Sequence, residues 1–204
     1  MAYTIQERGV FMNMIPFLKK RCVNRRVAGI VLVMTAALIL AGQLSAQGKQ
    51  DRYSRVAPNS ISFSEIRGYE NWAVVAPSYR TDKSEVRIIL GNETILKAYR
   101  EGVPGNGKPF PDGSILVKVG WAERKHPSFP AALEPDALQR VEFMIKDAKK
   151  FKKTQGWGYA RFVYDVKTDS FAPYGKDAAF DQECSMCHTL VKDRDYVFTS
   201  YGRR

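Results

Sequence analysis

The chain has 204 residues, 45% of them hydrophobic and 26% charged, with a net charge of +11 and three cysteines. That length supports one domain with a real core, and no internal repeat or low-complexity tract divides it. The basic balance would suit an acidic partner, but the export signal described next removes nucleic acid from the expected targets.

Residues 1–46 read as a secretory signal peptide. Lys19, Lys20, Arg21, Arg25 and Arg26 precede the apolar stretch Val27–Ala41, and the polar piece GQLSA then ends in small residues suited to cleavage after Ala46. The stretch is short for a spanning helix, so an uncleaved N-terminal membrane anchor is the weaker alternative. Met12 and Met14 are alternative starts, and Cys22 leaves with the leader. The leader holds six Lys/Arg against one Glu, which leaves +6 of the +11 on residues 47–204. The densest basic run, KDAKKFKK (Lys146–Lys153), reads as a solvated face, with docking of an acidic redox partner as the functional alternative.

Residues 47–60 are polar and form a loose lead-in. A short helix is expected around Phe63–Trp72, capped by Ser62 or Ser64. EVRIIL (Glu85–Leu90) reads as a strand. NETILKAYREG follows as a helix, with Asn92 as N-cap, Ile95, Leu96 and Tyr99 on one face and Gly102 as stop. The Pro/Gly loop Val103–Gly113 leads into GSILVKVGW (Gly113–Trp121), a strand whose alternation puts Lys118 with Ser114, Leu116 and Gly120. RKHPSFPAALEPD (Arg124–Asp136) reads as an irregular connection. In Leu138–Asp147, Val141, Phe143 and Ile145 face one way and Glu142, Met144 and Lys146 the other, and Asp147 can cap a short basic helix. WGYARFVYD (Trp157–Asp165) is a further strand. The expected fold class is α+β, a mostly antiparallel sheet with a few short helices, without the long amphipathic segments of a four-helix bundle.

The only cysteines after the leader stand in CSMCH, as Cys184 and Cys187 followed by His188. This is the attachment pattern for c-type haem: thiols add across the vinyl groups and the adjacent histidine becomes the proximal iron ligand. Zinc would want a fourth ligand, and only one other histidine is present. A redox C-x-x-C would sit early in a βαβ unit rather than close to the C-terminus. For the sixth haem ligand the candidates are Met144, placed on a mid-sheet strand, and His126, placed in a Pro-rich loop. An open distal position is therefore expected, which favours ligand binding or catalysis over simple electron transfer. Lys118, Glu142, Arg87 and Arg161 interrupt strand patterns; each alone reads as solvent-facing, and together they would make a charged distal site.

In order, GYENWAVVAPS, EVRIILGN, PFPDGSILVKVGW, VEFMIKDAKKF, GWGYARFVYD and CSMCHTLVKDRDYVFTSY resemble the cytochrome P460 family, from about Gly68 to Tyr201. The resemblance implies a periplasmic, mostly antiparallel β domain over residues 47–204, with one covalent haem c per chain and a homodimeric state. It implies oxidation of hydroxylamine to nitrous or nitric oxide, with electrons passed to a periplasmic acceptor such as a cytochrome c. Carried over by residue, Cys184 and Cys187 match the thioether cysteines and His188 the iron ligand. Lys118 falls on the lysine that this family cross-links to the haem macrocycle, and Glu142 on its proton-transferring carboxylate. Arg87 and Phe110 match distal-pocket positions. A related branch, the β-type cytochromes c′, shares the fold, lacks the cross-link and binds nitric oxide without turnover. The co-occurrence of Lys118 and Glu142 favours the oxidoreductase over that branch and over a plain electron carrier.

Overall fold

The computed structural model describes residues 51–202, so the leader reading and the proposed cleavage site lie outside the described residues. Six antiparallel strands form one sheet in chain order: β1 (Ala73–Arg80), β2 (Glu85–Gly91), β3 (Ile115–His126), β4 (Phe129–Lys146), β5 (Trp157–Asp165) and β6 (Ser170–Pro173). Among the described residues two helices accompany it, α1 (Glu93–Arg100) and α2 (Phe180–His188), with several 3-10 turns. The α+β expectation holds. Among the described residues no helix is long and apolar enough to cross a membrane.

Strand alternation builds a different core on each face. Val117 and Val119 of β3, Val141 and Phe143 of β4, and Ala160 and Phe162 of β5 point to one side, where Ile61, Phe63, Ile66 and Tyr69 cover them. Phe63 is fully buried, its ring 4.8 Å from that of Phe162 and 5.1 Å from that of Phe171. On the opposite face Leu116, Met144, Trp157 and Tyr159 pack under Ile95, Leu96 and Tyr99 of α1, together with Phe110 and Val197. Asn92 fixes the entry to that second core. Its Oδ1 accepts from Ile95 N (3.2 Å) as helix cap and from Ile115 N (3.1 Å), while Nδ2 donates to the Gly113 carbonyl (2.8 Å). One side chain thus starts α1 and positions β3.

Three local readings are corrected. Arg124–Asp136 is not irregular: β3 runs on to His126 and β4 begins at Phe129, with Arg124 opposite Glu134 and Lys125 opposite Leu133. Pro130 and Pro135 are tolerated because this part of the hairpin has no further strand beside it. The β2 pairing ends at Ala122 and the β5 pairing at Arg140, so no outer ladder bond is demanded of the prolines. The helix expected over Phe63–Trp72 is instead two 3-10 turns, Phe63–Ile66 and Tyr69–Asn71, because Gly68 between them takes φ +80°. Asp147 does cap, accepting from Lys149 N and Lys150 N, but the chain then makes turns and a 3-10 segment, Lys152–Thr154, rather than a helix. Strands β1 and β6 complete the sheet without having been anticipated.

Because Phe63 is the hub of the aromatic core, Phe63→Ala is expected to cost about 3–5 kcal/mol of stability. Urea unfolding would show this as a lowered midpoint with the m-value unchanged.

Candidate functional site

The face that carries α1 also carries a row of charges. Cross-strand partners point to the same side of a sheet, and the register sets Lys118 opposite Glu142 and Glu142 opposite Arg161. One step along, Arg87 faces Gly120 and Gly120 faces Arg140. Lys118 Nζ lies 2.6 Å from Glu142 Oε2, Arg140 Nε is 3.3 Å from the same oxygen, and Arg161 Nε donates to Oε1. A second carboxylate, Glu85, is fully buried and paired with Arg140, with Arg87 Nε 3.7 Å from its Oε1. Gly120 makes this possible: a Cβ there would lie 3.1 Å from Glu85 Oε1, where the carboxylate now crosses β3. Beside Arg140 and Arg161 opens a cavity of about 370 Å³, lined also by Leu138, Val163 and Tyr174.

Burial by itself would raise the Glu142 carboxyl, but Lys118, Arg161 and Arg140 outweigh it and hold it down at about 2, so Glu142 is ionised at neutral pH. Burial also works against the Arg161 guanidinium, and the Glu142 charge overrides it, raising its pKa. For Arg87 burial wins and the pKa is lowered.

The CSMCH segment is helical. Cys184, Cys187 and His188 stand at i, i+3 and i+4 of α2, which brings both thiols and the imidazole to one side of the helix. Both cysteines are free, Cys184 half-buried and Cys187 exposed. Asn59 ties the start of α2 to the sheet, donating to the Tyr159 carbonyl (2.8 Å) and to Asp181 Oδ2 (3.2 Å). The His188 ring lies 5.0 Å from Tyr159 and 5.0 Å from Phe198, and its Nδ1 is 2.6 Å from the Tyr196 carbonyl. With Nδ1–H donating to that oxygen, the Nε2 lone pair is left for a metal. Burial lowers the His188 pKa, which keeps the ring neutral as a ligand must be, and raises that of the Cys184 thiol. Tyr159, against which the His188 ring packs, shares its face of β5 with Arg161, the partner of Glu142, so α2 lies on the face of the charged row.

Of the residues singled out in the sequence, Lys118, Glu142 and Arg161 converge, and Arg87 joins their face, donating to Ser78 Oγ at 2.6 Å. Phe110 lies elsewhere in the packing, its ring 5.0 Å from Tyr99 and 6.1 Å from Trp157. Met144 is buried in the apolar half of the same face, and His126 stands at the end of the β3–β4 hairpin, 3.9 Å from Glu134. Glu85 and Arg140 were missed. Their only signal in sequence was a charge at the end of an alternating run, which is also where strands end in solvent. Among the described residues no group of three or more His, Cys, Asp or Glu gathers as a metal cluster.

The residues fit a haem. A free imidazole nitrogen and two thiols share one side of α2, and the ring of Phe198, an exposed apolar side chain, lies 5.0 Å from that of His188. An antiparallel sheet against which a C-x-x-C-H helix packs, with one imidazole nitrogen left open, is the arrangement of a haem-binding cytochrome. The sequence model of the family Cytochrome P460 matches residues 66–199, and the chain belongs to that family. The comparison with curated proteins found no match.

The depressed Glu142 carboxyl links folding to protons. Its contribution is fully present above the ordinary value of 4.5 and is lost as pH falls toward about 2, because the unfolded chain then binds a proton that the folded chain refuses. Acid titration of stability should fall by a few kcal/mol across that window. Glu142→Gln should be less stable at neutral pH, where Lys118 and Arg161 lose their carboxylate and Arg140 keeps only Glu85, and should flatten the slope.

Proposed function

We propose that the chain is a periplasmic haem c oxidoreductase that oxidises hydroxylamine to nitrous or nitric oxide, with Cys184 and Cys187 as thioether anchors and His188 as axial ligand. The observation that carries this reading is the Lys118–Glu142 pair, 2.6 Å apart on the sheet face against which α2 packs through His188 and Tyr159. When bound, the haem supplies a Lewis-acid site for a small nitrogen ligand and takes up its electrons.

The side chains supply the rest. Hydroxylamine must lose protons from nitrogen and oxygen as electrons leave, and an ionised carboxylate within hydrogen-bond reach can accept them. Glu142 is ionised, and Arg161 and Arg140 hold its two oxygens in place. Lys118 would supply the amine for the cross-link to the macrocycle, and its loss as a cation would leave Glu142 to Arg140 and Arg161. Arg87, with Arg140 and Glu85, extends the polar wall. Phe110 contributes packing behind the site. The exposed lysines Lys149, Lys150, Lys152 and Lys153 offer a basic surface to an acidic electron acceptor such as a cytochrome c. Residues 1–46 direct export, and the functional unit is a homodimer.

The ferrous protein is expected to show a strongly red-shifted Soret band, and peptide mapping should recover Lys118 attached to the haem. Lys118→Ala should abolish the red shift while Cys184 and Cys187 keep the haem. An ordinary c-type spectrum with a free Lys118 peptide would sink the enzyme reading and favour nitric oxide binding without turnover. In protein whose map still shows Lys118 attached, Glu142→Ala should slow hydroxylamine oxidation by about 10²-fold or more, the range of general-base contributions. Unchanged turnover would remove Glu142 from the proton path.

A further inference from the structure

The carbonyl that holds His188 comes from an unusual turn. Asp195 and Tyr196 both take left-handed conformations, φ +47° and +62°, although neither is glycine. Each such residue costs about 1–2 kcal/mol, so the surroundings must impose the conformation. The imposing contacts converge on Asp195. Its carboxylate oxygens lie 2.8 and 3.0 Å from Lys146 Nζ on β4, and Oδ2 also accepts the Phe110 N–H at 2.8 Å. Its own carbonyl accepts the Trp157 indole N–H at 2.9 Å. The side chains of Lys146 and Asp195 are 7% and 10% exposed, and the ammonium also lies 4.9 Å from the centre of the Trp157 ring. This buried ion pair stands outside the Lys118–Glu142 row. The next carbonyl in the chain, that of Tyr196, receives His188 Nδ1 at 2.6 Å.

We infer that Asp195 is a positioning residue for His188: clamped by Lys146 and the Phe110 amide, it locks the left-handed Asp195–Tyr196 turn so that the Tyr196 carbonyl orients the imidazole and strengthens it as an iron ligand. The inference rests on the reading of His188 as the axial ligand. A hydrogen bond at Nδ1 fixes the tautomer, raises the basicity of Nε2 and stabilises the more oxidised metal. The clamp therefore acts on the reduction potential indirectly, through the Tyr196 carbonyl and the His188 ring. Lys146 and Phe110, otherwise packing residues, become part of the site through their contacts with Asp195.

The test uses the full-length haem-loaded protein and reads the iron–histidine stretching band of the reduced form by resonance Raman, together with the equilibrium reduction potential. Asp195→Ala should move the band to lower frequency and raise the potential. Asp195→Asn should fall between Asp195→Ala and wild type, because asparagine tolerates the left-handed region and keeps one acceptor oxygen. If Asp195→Ala yields no haem protein, Lys146→Met should shift the band and potential in the same direction. Wild-type band and potential in Asp195→Ala, or in Lys146→Met where that stands in, overturn the inference. His188→Ala separates the two readings: a band that survives it removes His188 as ligand and the inference with it. A band that His188→Ala abolishes and the Asp195 variants leave unmoved overturns the clamp alone.

Discussion

Glu142 places an ionised carboxylate in the middle of a sheet, and the arrangement of the central strands follows from what that requires. An isolated buried charge costs several kcal/mol, and the penalty is offset only where cations sit in good geometry around it. Lys118, Arg140 and Arg161 supply those cations, one from β3, one from β4 and one from β5. The side-chain period of a strand is two, so a slip of one residue in β4 would turn Glu142 into the aromatic core and bring Phe143 among the arginines. The charge cluster and the hydrophobic core therefore reject the same wrong registers. The cluster gives little stability relative to an apolar alternative, but it strongly penalises misalignment.

The two faces of the sheet divide the work. The face covered by Ile61, Phe63 and Ile66 is closely packed and aromatic, with Phe143 and Phe162 stacked 6.0 Å apart at 11°. The other face is apolar where α1 covers it and charged where Lys118 and Glu142 stand. A domain of this size can hold such a polar surface half-buried because the burial on the first face is nearly complete. The long β3–β4 hairpin extends past both neighbours, carrying Phe129 and Leu133 exposed at 62% and 45%.

Which features were legible in the sequence follows from the range of the forces involved. Alternation is local, so the faces of Lys118 and Glu142 and the bounds Trp157–Asp165 could be read directly, as could the Asn92 cap. The C-x-x-C-H motif needed only its spacing, and the helix then aligned both thiols with the imidazole. The continuation of β3 and β4 through Arg124–Asp136 was hidden by Pro130 and Pro135, whose meaning depends on the absence of a neighbouring strand. Gly68 sat inside an apparently helical stretch, and only its positive φ shows that the helix divides. Arg140, Glu85 and Asp195 were illegible for a different reason. Each matters through a partner many residues away, and nothing local distinguishes a buried ion pair from two solvated charges.

Those distant partnerships share one strand. Glu142 and Lys146 lie on the same face of β4, four residues apart, which is about 13 Å along a strand. Glu142 meets the charged row directly, whereas Lys146 reaches His188 through Asp195 and the Tyr196 carbonyl. The carboxylate and the imidazole, the proton acceptor and iron ligand of the proposed function, are thus referenced to the same rigid element rather than to separate loops. A loop-borne ligand would normally drift relative to a sheet-borne carboxylate. Here the loop is tied back to the sheet at Lys146, Phe110 and Trp157, so the separation between the two groups is set by the pitch of β4. Under the proposed function, a substrate held between these two groups would meet a separation already fixed before it binds.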